Sequence, residues 1–136
     1  MPGETNLTRL LAGMRPSLQP QIFVFATLPD CFAIPGEVEP VMAFREREGM
    51  TLIIEEAQAR KAGIAGAFRS RMITLEVHSS LDAVGFLAAI TARLAEAGMG
   101  VNAVSAFHHD HLFVPVDRAE EALLTLEQLA AEASGR

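Results

Sequence analysis

The stretch TLIIEEAQARKA, from Thr51, lies in register over HLFVPVDRAEEA, from His111. Leu52, Ile53 and Ile54 fall on Leu112, Phe113 and Val114, while Ala59 and Ala62 fall on Ala119 and Ala122. Each copy is a short apolar run of strand type, followed at once by small apolar residues at helical spacing. A strand–helix step that occurs twice in 136 residues calls for a fold that uses it twice.

The rest of the chain fits around these two steps. Leu7, Leu10, Leu11 and Met14 share one helical face, with Thr5 or Asn6 as cap and Pro16 as terminator. Gln21–Leu28 reads as a buried strand. From Pro29 to Pro40, three prolines and a glycine predict a long loop, with a short strand at Cys31–Ile34. Met50–Ile54 is a strand and Glu55–Ala62 a helix that Gly63 stops. Met72–His78 is the next strand. Ser79 and Asp82 match a capping box for a helix whose stripe is Val84, Leu87, Thr91 and Leu94, with Ile90 beside it and Gly98 at its end. Val101–Phe107 and His111–Pro115 are strands divided by HHD. A last helix turns Ala119, Ala122, Leu123, Leu126 and Leu129 inward. The order predicts an α+β protein of two incomplete βαββαβ units, residues 1–65 and 66–136. The first lacks its opening strand and the second its closing strand, so a strand is exchanged or shared between them. Neither half has much core alone, and one cooperative body is expected.

Half of the residues are apolar and 21% are charged, which suits a packed core. The net charge of −6 disfavours a nucleic-acid backbone or an anionic membrane as partner. The apolar runs are too short to span a bilayer, and MPGETNLTRLL has no hydrophobic signal region. Cys31, the single cysteine, cannot form an internal disulfide and reads as a buried or half-buried thiol. A cytoplasmic protein is expected.

SAFHHDHLFVP, Ser105 to Pro115, holds three of the four histidines. Zinc needs three or four convergent ligands. His109 and His111 project to one side of an extended strand, His108 to the other, and Asp110 sits between them at the expected turn. His78 ends a different strand, Cys31 is in a remote loop, and no HxxxH is present. Neither a metal site nor a cofactor is expected. Two readings stay open. The segment is a hairpin connection stabilised by Asp110, or its imidazoles lie beside a ligand or subunit interface and make binding sensitive to pH.

Ser79 and Ser80 follow His78 too closely for a catalytic relay, and there is neither a nucleophile elbow nor a phosphate loop. The chain is therefore not read as an enzyme. HSSLDAVG remains as a strand-to-helix junction. Free amides at a helix start can hold a carboxylate, Asp82 can pair with an amino group, and Gly85 permits close approach. Asn102 on the next strand adds a donor and an acceptor. The competing reading is a tightly packed cap with a glycine beneath a neighbouring strand.

The run from Arg71 to Leu123, and ITLEVHSSLDAVG and HHDHLFVP within it, resembles the small bacterial proteins made of paired ACT-type domains. EGMTLIIEEAQA upstream fits the same family, and the resemblance covers roughly Leu7 to Leu129. It implies tandem ferredoxin-like (βαββαβ) units, a degenerate ACT-like unit over 1–65 and an ACT domain over 66–136, related to aspartate kinase regulatory domains. Gly85 and Gly98 match the family's glycines. The implied function is an amino-acid-binding regulatory protein without catalytic activity, a homo-oligomer with a metabolic enzyme as possible partner. Its ligand residues are expected among Ser79, Ser80, Asp82, Val84, Gly85, Asn102, His109 and His111. The alternative is a structural or protein-interaction module that has lost ligand binding.

Overall fold

The computed structural model describes residues 3–29 and 33–135. The thiol of Cys31 and half of the strand expected at Cys31–Ile34 fall outside them, and the described half, Ala33 and Ile34, is not in a strand.

The chain divides into two compact units, one made of residues up to Pro20 with those from Arg71 onward, the other of Gln21–Ser70. Two long strands, β1 (Arg15–Leu28) and β4 (Ala67–Glu76), contribute residues to both. The larger unit holds α1 (Leu7–Gly13), α3 (Phe86–Glu96), β5 (Asn102–Ser105), β6 (Asp110–Pro115) and α4 (Ala119–Ala133), with strands in the order β1-β4-β6-β5. Read from β4 it is βαββα, and the first residues of β1 supply the closing strand. The smaller unit holds β2 (Met42–Glu46), β3 (Gly49–Glu55) and α2 (Glu56–Ala62), with the order β2-β3-β1-β4. Both are ferredoxin-like, with shared strands.

The smaller unit departs from expectation in what it lacks. Its opening strand is present as β1, and the missing piece is the first helix. The described residues between β1 and β2 form no helix. Pro35 and Pro40 each remove an amide and restrain the residue before them, which disfavours a helix through the described part of this stretch.

β1 also starts six residues before Gln21, through Pro16 and Pro20. These prolines are an even number apart, so their missing amides fall on the same side of the strand. Here β1 is the edge of the larger unit, because its pairing with β3 begins only at Phe23. A proline costs no ladder bond on an open edge.

The repeated strand–helix step is preserved in the packing. Leu52 and Ile54 of β3 and Leu112 and Val114 of β6 are each 0% exposed. In the smaller unit they meet Val24, Val38 and Ala59. In the larger unit they meet Leu10 and Met14 from the α1 end, Ile73 and Leu75 of β4, Ile90 and Leu94 of α3, and Leu126 of α4. Burying each such aliphatic side chain stabilises the fold by about 1.5–3 kcal/mol. Along α3 the buried residues are Phe86, Ile90 and Leu94, whereas Val84, expected in that stripe, is 84% exposed.

Candidate functional site

The site forms where β4 runs out. Irregular backbone occupies Val77–Gly85 before α3 begins at Phe86. The expected capping box is not made. Gly85 is the N-cap, with φ at +89° and no side-chain cap bond. That left-handed backbone is open to glycine at little cost. Both serine hydroxyls are engaged elsewhere. Ser79 Oγ donates to Asp110 Oδ2 at 3.4 Å, and Ser80 Oγ accepts from the Asp82 amide at 3.0 Å. Helix formation waits until Phe86 can enter the core.

The N-terminal segment lies along this loop. Glu4 makes a parallel bridge with Ser79: its amide donates to the His78 carbonyl at 2.8 Å, and its carbonyl accepts from the Ser80 amide at 3.0 Å. The Glu4 carboxylate accepts from the Asn6 and Thr5 amides, which hold its pKa below the usual range. The Ala83 amide donates to the Ser80 carbonyl at 3.0 Å. Three amides expected to be free for a ligand carboxylate, those of Ser80, Asp82 and Ala83, therefore already donate within the chain.

Two small clefts share Ser79, Ser80 and Leu81. One, about 180 Å³, is completed by Ala83, Phe86, Leu87, Ser105, Ala106 and Asp110. The other, about 190 Å³, is completed by Gly3, His78, Asp82 and Phe107. Asp110 is not in the turn. It opens β6 opposite Ser105 and is only 8% exposed. The turn is Ala106–His109, closed by the Ala106 amide donating to the His109 carbonyl at 3.0 Å.

The histidines form a chain of neighbours. Ring centroids are 5.7 Å apart for His78 and His108, 6.4 Å for His108 and His109, and 6.3 Å for His109 and His111. His111 Nδ1 lies 3.0 Å from Thr74 Oγ1. Burial, then the neighbouring His109, hold the His111 pKa below its ordinary value, with Asp110 acting weakly the other way. Among the described residues no group of three or more His, Cys, Asp or Glu side chains is placed to hold a metal ion.

Of the residues expected to bind ligand, Ser79 and Ser80 line both clefts and Asp82 lines one. Val84 points to solvent and Gly85 caps α3. Asn102 is exposed on β5 opposite Phe113, and neither His109 nor His111 lines either of these two clefts. Asp110 was the residue to add. In DHLFVP it alternates with Leu112 and Val114, so the period of the strand already put it on the core face.

Two βαββαβ-type units with shared strands, the smaller short of its first helix, and a cleft at the strand-to-helix loop of the larger, define a ferredoxin-like module. ACT-domain models match residues 2–71 and 67–128, and the chain belongs to the ACT-domain family. ACT domains are non-catalytic regulatory modules, and membership supports a small-molecule-binding regulatory role. A Vibrio cholerae protein of unknown function, given as a possible transport protein, is 39% identical with a TM-score of 0.82, over 91% of this chain and 95% of that one. An Agrobacterium tumefaciens protein shares the fold at 17% identity and a TM-score of 0.74, over 86% and 89% of the two chains. So does the ligand-free regulatory subunit of aspartate kinase from Thermus thermophilus, at 13% identity and a TM-score of 0.64, over 84% and 95%. No curated protein matches the chain. Among the described residues no helix is long and apolar enough to cross a membrane.

Proposed function

We propose that the chain is a regulatory protein that binds a free amino acid at the Ser79–Asp82 loop and acts on a metabolic enzyme partner. The observation that carries this reading is Asp110, a carboxylate 8% exposed at the wall of a small cleft, held by the Ser79 hydroxyl. Burying a carboxylate is costly unless it is hydrogen-bonded or meets a cation. A ligand ammonium supplies that cation. This reading sets the ligand amino group on Asp110, with Ser79 and Ser80 beside it and Asp82 in the adjoining cleft. Gly85 sets the start of α3, while Val84, Asn102, His109 and His111 line neither cleft. The enzyme partner is proposed by analogy with the aspartate kinase regulatory subunit, which shares the fold.

A thermal-shift screen of the twenty amino acids tests the reading. A ligand selective for the folded chain, present at a hundred times its Kd, adds about 2.7 kcal/mol of apparent stability. The expected result is one amino acid, or one chemical group of them, that raises the midpoint. No shift with any of the twenty favours an interaction module without a ligand.

A further inference from the structure

We infer that the Asp110 cleft selects a ligand with an ammonium group and an uncharged, apolar body, and turns away dicarboxylic amino acids. The inference rests on the amino-acid-binding reading above and adds the class of side chain.

Charge comes first. Asp110 is the charged side chain of its cleft, and Asp82 lines the adjoining one. No lysine or arginine is among the described residues lining either. A second ligand carboxylate would face one of these two with no lysine or arginine in either lining to offset it. Backbone amides cannot take that role at Ser80, Asp82 or Ala83, because each already donates within the chain. Like charges brought together where water is scarce repel more strongly than in bulk solvent.

Shape comes second. The walls around Asp110 include Leu81, Ala83, Phe86, Leu87 and Ala106. Phe86 is fixed in the core at 2% exposure, whereas Leu81 is 66% exposed. A short aliphatic side chain gains apolar contact there and strands no polar group. The cleft, at about 180 Å³, is well below the roughly 300–1,000 Å³ of drug-sized pockets. A small branched side chain fits that scale.

Calorimetry on the full chain with four probes separates the terms: L-valine, L-valinamide, 3-methylbutanoate and L-aspartate. Valinamide keeps the ammonium and removes the carboxylate, and 3-methylbutanoate does the reverse. Valinamide is expected to bind, because it keeps the ammonium that meets Asp110. Aspartate is expected to bind more than about a hundredfold more weakly, a gap of about 2.7 kcal/mol, and 3-methylbutanoate to give no heat. Asp110→Asn keeps the shape and an acceptor for Ser79, and should weaken valinamide at least about tenfold. Circular dichroism checks that this variant folds, and the ranking of the four probes on the unsubstituted chain decides the matter if it does not. Aspartate within tenfold of valine, or 3-methylbutanoate matching valinamide, overturns the selectivity. An acidic amino acid emerging from the thermal screen does the same and leaves amino-acid binding standing. Silence from every amino acid overturns both.

Discussion

Gly3→Ala perturbs the Asp110 cleft from the adjoining one, which Gly3 lines. A β-carbon at Gly3 would lie 2.6 Å from the His78 carbonyl oxygen, the Ser79 carbonyl carbon and the Ser80 amide nitrogen. All three are backbone atoms, so the loop cannot yield by turning a side chain. The N-terminal segment must lift instead, and two hydrogen bonds go with it: Glu4 amide to His78 carbonyl, and Ser80 amide to Glu4 carbonyl. At about 0.5–1.5 kcal/mol net for each bond, the loss is about 2 kcal/mol. Water reaches the freed groups, which keeps the cost near the bond energies themselves. Urea unfolding followed by circular dichroism measures the total. Amide hydrogen exchange measures its location. The Ser80 amide should lose protection, whereas the Ala83 amide, which donates to Ser80, should keep it. An unchanged midpoint with Ser80 still protected would refute the close approach of the N-terminal segment to the loop.

Three further outcomes follow from the packing and the charges. Leu52→Ala and Leu112→Ala remove equivalent, fully buried side chains and should each cost ~3–5 kcal/mol in denaturant unfolding; a large disparity would contradict the repeat. His111 titrates below the ordinary 6.5 in the folded chain, so the unfolded chain takes up the proton first as pH falls. Stability should hold above about pH 6.5, decline below it and level off once the folded pKa is passed; a His111→Asn variant with an unaltered pH profile would rule this out. At the free edge of the smaller unit, Phe44 is 63% exposed. Glu46 and Gly49 close the β2–β3 hairpin as a bonded pair, so Met42, Phe44 and Glu46 turn their amides inward, and Ala43 and Arg45 direct theirs outward. A twofold centred on Phe44 sets Met42 against the partner's Glu46 and Ala43 against the partner's Arg45, with no like charges opposed. Sedimentation equilibrium at tens of micromolar should give a dimer that Phe44→Lys dissociates; a wild-type chain found only at 14.6 kDa counts against it.

What the sequence disclosed and what it hid divide along the range of the interactions. Leu52–Ile54 over Leu112–Val114 is a local pattern, and so is Gly63 in left-handed backbone at the end of α2. Both were readable, and with them the paired α+β architecture. β2 escaped because Met42–Glu46 is largely exposed and only Met42 and Phe44 alternate in it. The early start of β1 escaped because Pro16 and Pro20 read as breakers until the open edge is known. At the site, Ser79 has the chemistry of a cap, and its hydroxyl was drawn away by Asp110, thirty-one residues distant. His78 and His108 stand in separate elements, and only the fold brings their rings to 5.7 Å. The loop around Ser79 and Ser80 was legible as a candidate site. The carboxylate that gives its cleft a charge reads as a turn residue while the histidines beside it disguise the strand, and only its alternation with Leu112 and Val114 points to the core face.

The most direct test of the central claim is a titration of the isotope-labelled full chain with the amino acid found in the thermal screen, followed through backbone amide resonances. The account predicts the largest shifts at Ser79–Ala83 and at Ser105–Asp110, with Leu52–Ile54 of the smaller unit almost unmoved. Saturable shifts confined to residues away from the Ser79 loop, or a silent spectrum with all twenty amino acids, would contradict it.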